Sequence, residues 1–494
     1  MKILLIYPEF PDTFWSFTHA LHFIGKKAAF PPLGLITVAA LLPEKWDKRL
    51  VDTNVERLKD KDIVWADLVF IGGMAVQRTS ARQIIDRCKE LNVMIVAGGP
   101  LFTCEPEAFK TVDHLVLDEA ELSLPEFLAD FSMGRAKKIY RAAGFCDPDD
   151  TPVPLWGLLN RKRYASMSLQ FSRGCPFNCD FCNVTALFGH IPRLKKADRI
   201  ILELDHIYAA GWRGSIFFVD DNFIGNKAYL KKHLLPALID WRKDKKGCVF
   251  FTESSINLAD DPKLLDMMVK AGFDSVFIGI ESPDEVSLAE CHKTQNKNRD
   301  LLESVGIIHR SGLQVMGGFI VGFDNDGPAI FQRQIEFIQK SGIVTAMVGL
   351  LQAIPGTRLF DRLQQESRVT ESFTGDNVDG TTNIIPKMGM DNLFNGYQSI
   401  MKQIYQPKNY YRRIRTLFME LKDPEIIIPI DFQRFLCFFR AALRLGVFGK
   451  ERFHYWYLIL WTLIRKPKLV PMAITLSIYG YHYRKICEQY IYKA

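Results

Sequence analysis

Hydrophobic positions over residues 1–145 come in short runs separated by helix-length amphipathic stretches. The runs are ILLIYP (3–8), LGLITVAALLP (33–43), LVFIGGM (68–74), ARQIIDRCKEL (81–91) and VMIVAGGP (93–100). Short continuous apolar runs alternating with helical periods predict a parallel sheet wound with helices on both faces. Ligands of such sheets sit beyond the carboxyl ends of the strands. Those ends carry Tyr7-Pro8, Gly72-Gly73-Met74 and Gly98-Gly99-Pro100. Gly72, Gly73, Gly98 and Gly99 either let a flat ligand approach the backbone or simply make tight turns.

Residues 146–165, rich in Pro and Asp, read as a linker. A second β/α series follows over 166–365, with strands expected at 166–172, 215–220, 248–254, 275–280, 314–321 and 344–352. Six regularly spaced, continuously apolar strands favour a partial (β/α)6 barrel over a flat sheet, with active groups at the strand ends. Residues 366–494 begin with a polar loop, TESFTGDNVDGTTN, and turn helical, basic and aromatic in FLCFFRAALRLGVF and FHYWYLILWTLIRKPK. That last part is either a helical domain packed on the barrel, or an apolar lid or membrane-surface face that receives a greasy substrate. The expected fold class is α/β: a doubly wound domain, a partial barrel and a mainly helical C-terminal domain.

Composition changes little in this picture. A chain of 494 residues with 48% hydrophobic and 24% charged side chains is of soluble globular type, and a net charge of +7 gives no reason to expect nucleic acid. Ten cysteines are too sparse for a disulfide scaffold and fit a reducing cytoplasm. The opening MKILLIYPEF reads as a buried strand, not a signal peptide. YWYLILWTLI falls short of the about 20 residues that span a bilayer.

The chemistry concentrates in FSRGCPFNCDFC, where Cys175, Cys179 and Cys182 follow the first barrel strand. A four-iron cluster usually takes four thiolates, so three leave one iron open for a substrate or cofactor. A structural Cys3His zinc site through His190 is the rival reading. Cys88, Cys104, Cys146, Cys248, Cys291, Cys437 and Cys487 show no cluster spacing and read as inert.

The Cys-x3-Cys-x2-Cys triplet after the first barrel strand resembles the radical S-adenosylmethionine superfamily, in which the open iron binds the methionyl amine and carboxylate. The preceding domain and FPPLGLITVAALL (30–42) resemble its cobalamin-binding subgroup. RGSIFFVDDNFIGN (213–226) and LLQAIPGTRLFDRLQ (350–364) are similar to hopanoid 2-methylases and bacteriochlorophyllide side-chain methylases. The resemblance implies a 4Fe–4S cluster, S-adenosylmethionine and cobalamin as cofactors. It implies an external one-electron donor of flavodoxin or ferredoxin type, and methylation of an unactivated carbon through a radical. The aromatic C-terminal region favours a polycyclic lipid or a tetrapyrrole as substrate, with peripheral membrane contact. A radical cyclase without methyl transfer, or a cobalamin- or zinc-binding module, are the alternatives.

By the same resemblance Asp220, Asp221 and Asn222 match the segment that contacts the methionyl amine, and Glu281 matches the position near the ribose. The residues themselves also allow Asp220 and Asp221 to be turn caps. Glu253 either faces substrate or cofactor or makes a structural hydrogen bond. Gly322, in GGFIVGFDND (317–326), offers backbone to the adenine or forms a turn. No Asp-x-His triplet occurs, so cobalamin would lack a protein histidine below its ring.

Overall fold

The computed structural model describes residues 1–370, 373–376, 379–424 and 432–492. Six parallel strands, β1 (Lys2–Tyr7), β2 (Asp47–Asp52), β3 (Leu68–Gly72), β4 (Met94–Gly98), β5 (His114–Val116) and β6 (Ile139–Tyr140), lie in the order β2-β1-β3-β4-β5-β6. Side chains alternate across a strand. Ile3 and Leu5 accordingly join one apolar cluster with Leu35 and Phe127, while Leu4 and Ile6 join another with Ile85 and Leu101. Both faces are buried, which is why the strands read as continuous apolar runs. The chain winds away from β1 in both directions, so a topological switch point lies between β1 and β3, next to Gly73. The run 33–43 is the helix Leu33–Leu41, and β2, DKRLVD, is a strand that the apolar pattern did not mark.

The second sheet contains β7 (Ser166–Leu169), then after a short antiparallel pair, β8 (Ser172–Arg173) with β9 (Arg193–Leu194), the strands β10 (Ser215–Phe218), β11 (Val249–Ser254), β12 (Phe273–Glu281), β13 (Gln314–Val321) and β14 (Ala346–Leu350). Its order, β14-β13-β12-β11-β10-β7, is sequential and all parallel, the layout of an open partial barrel. All six expected strands are present. Ile216, Phe218, Phe250 and Ile278 pack outward beneath the helices. Phe217 and Phe277 line the mouth, with Phe251 stacked on Phe217 at 4.8 Å, whereas Phe319 packs against Phe337 beneath the helices.

One connection breaks the sequential plan. After β1 the chain leaves its own sheet and crosses to the barrel as a strap over residues 8–32. Phe14 packs 5.1 Å from Tyr483, Trp15 5.0 Å from Phe277 and Phe30 5.2 Å from Phe217, measured between ring centroids. Ala28 forms a parallel bridge with Tyr164, and Ser166 N–H donates to Ala29 O at 3.0 Å, so the strap covers the free edge of β7. Tyr164 also donates to Asp52 Oδ2 at 2.8 Å, a buried bond between the linker and the first sheet.

Helices Met390–Tyr405, Pro407–Glu420, Phe432–Ala441, Arg452–Arg465 and Val470–Ile486 form the C-terminal region. Their apolar faces share one core with the barrel. The fully buried Arg413 ties them to it, donating to Ile404 O at 2.9 Å and Val344 O at 3.2 Å. Of the polar loop 370–383, residues 371, 372, 377 and 378 lie outside the described residues. Among the described residues no helix is long and apolar enough to cross a membrane.

Candidate active site

The three cysteines stand on the loop between β8 and β9, and the fold fixes that loop at both ends. Ser172 N–H and Oγ both donate to Asp220 Oδ1, the latter at 2.5 Å, and Phe171 N–H donates to Oδ2 at 3.3 Å. Gly174 has φ +92°, and a Cβ there would sit 2.8, 3.0 and 3.1 Å from the carbonyl oxygens of Gly189, Phe188 and Ile191. Only glycine tolerates that turn.

Cys175, Cys179 and Cys182 are free and partly exposed. The Phe177 N–H donates to the Cys175 sulfur and the Val184 N–H to that of Cys182. Burial pushes the Cys182 thiol up to about 12, against these donors. Gln295 Nε2 lies 3.9 Å from Cys179 Sγ, while its buried Oε1 has no partner. Three thiols with N–H donors and a nearby cation, Lys293, are the donor set a thiolate-bound cluster needs. A fourth cysteine is close. Cys291 packs behind the loop, but its thiol faces Leu288 O at 3.7 Å inside an apolar cluster with Phe323 and Leu351. Three ligands are therefore what the loop presents. Among the described residues no three His, Cys, Asp or Glu side chains gather as a single metal ion would require, and His190 is exposed.

Facing this loop is a cavity of about 1020 Å³ between the two sheets. From the first sheet it takes Gly72, Gly73, Gly98 and Gly99, from the barrel Asp221, Glu253 and Glu281, and from the strap Trp15 and Phe30. A Cβ on Gly98 would overlap Val116 O, so the bare strand end is required by packing as well as by space for a ligand. Gly375 and Asp376 of the polar loop close one side.

The carboxyl groups expected at the site divide by strand-end direction. Asp221 reaches the cavity and accepts from the Gly174 N–H, with burial raising its carboxyl to about 6. Its neighbours turn inward, because successive side chains point to opposite sides. Asp220 is fully buried and holds the cysteine loop, and Asn222 is buried with Ser255 Oγ donating to its Oδ1 at 3.3 Å. Neither side chain is among the cavity-lining groups. Gly322 N–H donates to Asp326 Oδ2 at 2.9 Å in a turn at φ +111°, and the residue is not among those lining the cavity.

Glu253 lines the cavity, and burial, followed by repulsion from Asp221 and Asp220, raises its carboxyl to about 8. Glu281 has φ +63°, a strained conformation for a non-glycine residue that marks functional sites. Gln334 Nε2 donates to its carbonyl at 3.1 Å, and Lys293 Nζ to its Oε1 at 2.7 Å. Lys293 was not legible in the sequence; burial opposes its charge, but Glu281 and then Cys179 hold its pKa well above the usual lysine value.

Also unforeseen is the clasp between the sheets. Arg173 Nη2 and Glu121 Oε1 are 2.7 Å apart, as are Arg193 Nη2 and Glu119 Oε1. Both arginines flank the cysteine loop, and both glutamates follow β5.

A family model described as the radical SAM superfamily matches residues 169–338, and one described as a domain of unknown function (DUF4070) matches 357–494. An uncharacterized methyltransferase of Synechocystis sp. is 39% identical over 99% of this chain and 93% of its own length. The hopanoid C-2 methylase of Rhodopseudomonas palustris is 33% identical over 94% of this chain and 90% of its own. Among solved structures, the cobalamin-dependent S-adenosylmethionine radical enzyme OxsB aligns with TM-score 0.64 at 14% identity, covering 99% of this chain and 84% of that one, a likeness of fold. With its cysteine triplet at the mouth of a partial barrel and such identity along nearly its whole length, the chain belongs to the radical S-adenosylmethionine methylases.

Proposed function

We propose that this enzyme methylates an unactivated carbon of a lipophilic substrate, a polycyclic lipid or a tetrapyrrole, using a 4Fe–4S cluster, S-adenosylmethionine and cobalamin. The observation that carries the reading is the single cavity shared by the glycine-bearing strand ends of one sheet and the acidic mouth of the other. Bound together, the cofactors supply one-electron chemistry at an inert carbon and a transferable methyl group.

The chain's own residues do the positioning. Cys175, Cys179 and Cys182 would hold three irons. Asp221 would accept from the methionyl ammonium, a charge-assisted bond, and the Lys293–Glu281 pair offers a cation and a carboxylate beside it. Gly72, Gly73, Gly98 and Gly99 leave backbone open to a flat corrin. Phe217, Phe277 and Trp15 exclude water and receive apolar substrate. Glu253, protonated at neutral pH, can donate a hydrogen bond to a substrate oxygen. An external flavodoxin- or ferredoxin-type donor would supply the electron, and peripheral membrane contact suits the substrate class.

The test is anaerobic. Protein grown with cobalamin is analysed for iron and cobalt, reduced, and assayed for 5'-deoxyadenosine and S-adenosylhomocysteine. About four irons, one cobalt and both products support the reading. Deoxyadenosine without S-adenosylhomocysteine, with no CH2 gained by the product, would replace methylation by a cyclase-type reaction.

A further inference from the structure

The C-terminal region leaves an apolar surface uncovered. Twelve large hydrophobic side chains more than a third exposed lie between Phe432 and Ile464, and the others are scattered over the chain. On helix Phe432–Ala441 they include Phe432, Phe435 and Phe439; on helix Arg452–Arg465 they include Phe453, Leu460 and Ile464. Spacings of three, four and seven put each set on one stripe. The opposite stripe, with Cys437, Ala441, Tyr455 and Leu458, is buried against helices Thr18–Ile24 and Val470–Ile486. The exposed stripe is therefore a second apolar face, and a contiguous apolar surface rimmed by polar residues marks an interaction site.

Its rim is basic. Residues 432–469 contain eight Lys and Arg against one Glu. That residue, Glu451, is buried and paired with Arg484, and Arg440, Arg444, Lys450, Arg452, Arg465 and Lys468 are exposed. Asp423, outside this segment, lies 3.7 Å from Lys466 and 3.9 Å from Lys468. We infer that this helix pair docks on an anionic bilayer surface, lying in the plane of the interface with its aromatic stripe in the acyl boundary. Basic rims around amphipathic, non-spanning helices match that site. A second copy of the chain is disfavoured as the occupant, because it would bring two like-charged rims together.

The face also connects to the cavity. Helix Thr18–Ile24 packs on Phe432–Ala441, Arg440 Nη1 donates to Phe23 O at 2.9 Å, and the strap just before it, with Thr13, Trp15 and Ser16, lines the cavity. The inference deepens the lipophilic-substrate reading and rests on it only for its purpose, since the surface itself is independent of the chemistry.

The experiment is sedimentation of the full chain with vesicles of phosphatidylcholine alone and of equal parts phosphatidylcholine and phosphatidylglycerol, with no activity readout. At least tenfold tighter binding to the mixed vesicles, weakened by salt, is expected. The variant Phe453→Asp/Leu460→Asp/Ile464→Asp should lose binding while keeping its circular dichroism, its substituted positions being exposed. Lys450→Glu/Arg465→Glu/Lys468→Glu should lose only the preference for the anionic vesicles. Absence of wild-type binding, equal binding by the apolar variant, or a concentration-dependent dimer abolished by that variant would overturn the inference. Each of those results would leave radical methylation standing.

Discussion

Arg173 Nη2 lies 2.7 Å from Glu121 Oε1, with both side chains at most one-tenth exposed. This pair joins the cysteine loop of the barrel to the helix start beyond β5 of the other sheet. Its neighbour Arg193–Glu119 repeats the link, and Glu119 Oε2 also accepts from the Cys146 N–H at 2.6 Å. Removing one partner of a buried pair strands the other charge, at a cost of about 3–5 kcal/mol. Arg173 keeps Glu119 Oε1 at 3.4 Å, so Glu121→Gln should lower urea stability by less than that, about 1–3 kcal/mol. If the clasp sets the distance between methyl donor and substrate carbon, the same variant should retain 5'-deoxyadenosine formation while methylated product falls about tenfold or more. Parallel loss of both products would assign the clasp to stability alone.

The cysteine loop makes a sharper prediction. Cys175→Ala, Cys179→Ala and Cys182→Ala should each abolish the iron–sulfur chromophore. Cys291→Ala should retain full iron content, because its thiol faces Leu288 O and apolar neighbours. Its cost should be confined to stability, about 1 kcal/mol for a small buried group. Loss of iron in Cys291→Ala would make it a fourth ligand and remove the open site.

Gly174 tests the backbone beneath the cluster. At φ +92°, with three carbonyl oxygens within 3.1 Å of any Cβ, alanine has no room. Gly174→Ala should lower iron incorporation severalfold, while circular dichroism stays near wild type because only the loop has to move. Unchanged iron content would show that the loop accommodates the side chain.

How far this could be read in advance follows from which interactions are local. The six barrel strands were legible because their outward faces are buried and their residues are mostly apolar, whereas β2, DKRLVD, has exposed Asp47 and Arg49 and carries no such run. The triplet of cysteines was legible because its spacing is itself the signal. The direction of a side chain at a strand end was not: VDDN gives three polar residues in a row, and only the twist of β10 into its turn decides that Asp221 faces the cavity and Asp220 the core. Lys293 and the strap are unreadable for another reason. Lys293 meets Glu281 twelve residues away through a turn, and Phe14 meets Tyr483 across nearly the whole chain, so no local pattern records either contact.

Glu253 gives the pH prediction. Its carboxyl titrates near 4.5 when unfolded and near 8 in the folded apoprotein, where burial comes first and Asp221 and Asp220 add repulsion. Between those values the folded state keeps a proton that the unfolded state has released, so stability falls as pH rises. Glu253→Gln removes that slope without changing shape. The variant should match wild type near pH 4.5 and be increasingly more stable than it up to about pH 8, with the difference reaching a few kcal/mol. Thermal melting of both proteins across that range measures it. A difference that is flat with pH, or that grows toward acid, would mean that Glu253 is ionised in the folded protein and faces a cation, which Lys293 would then have to supply.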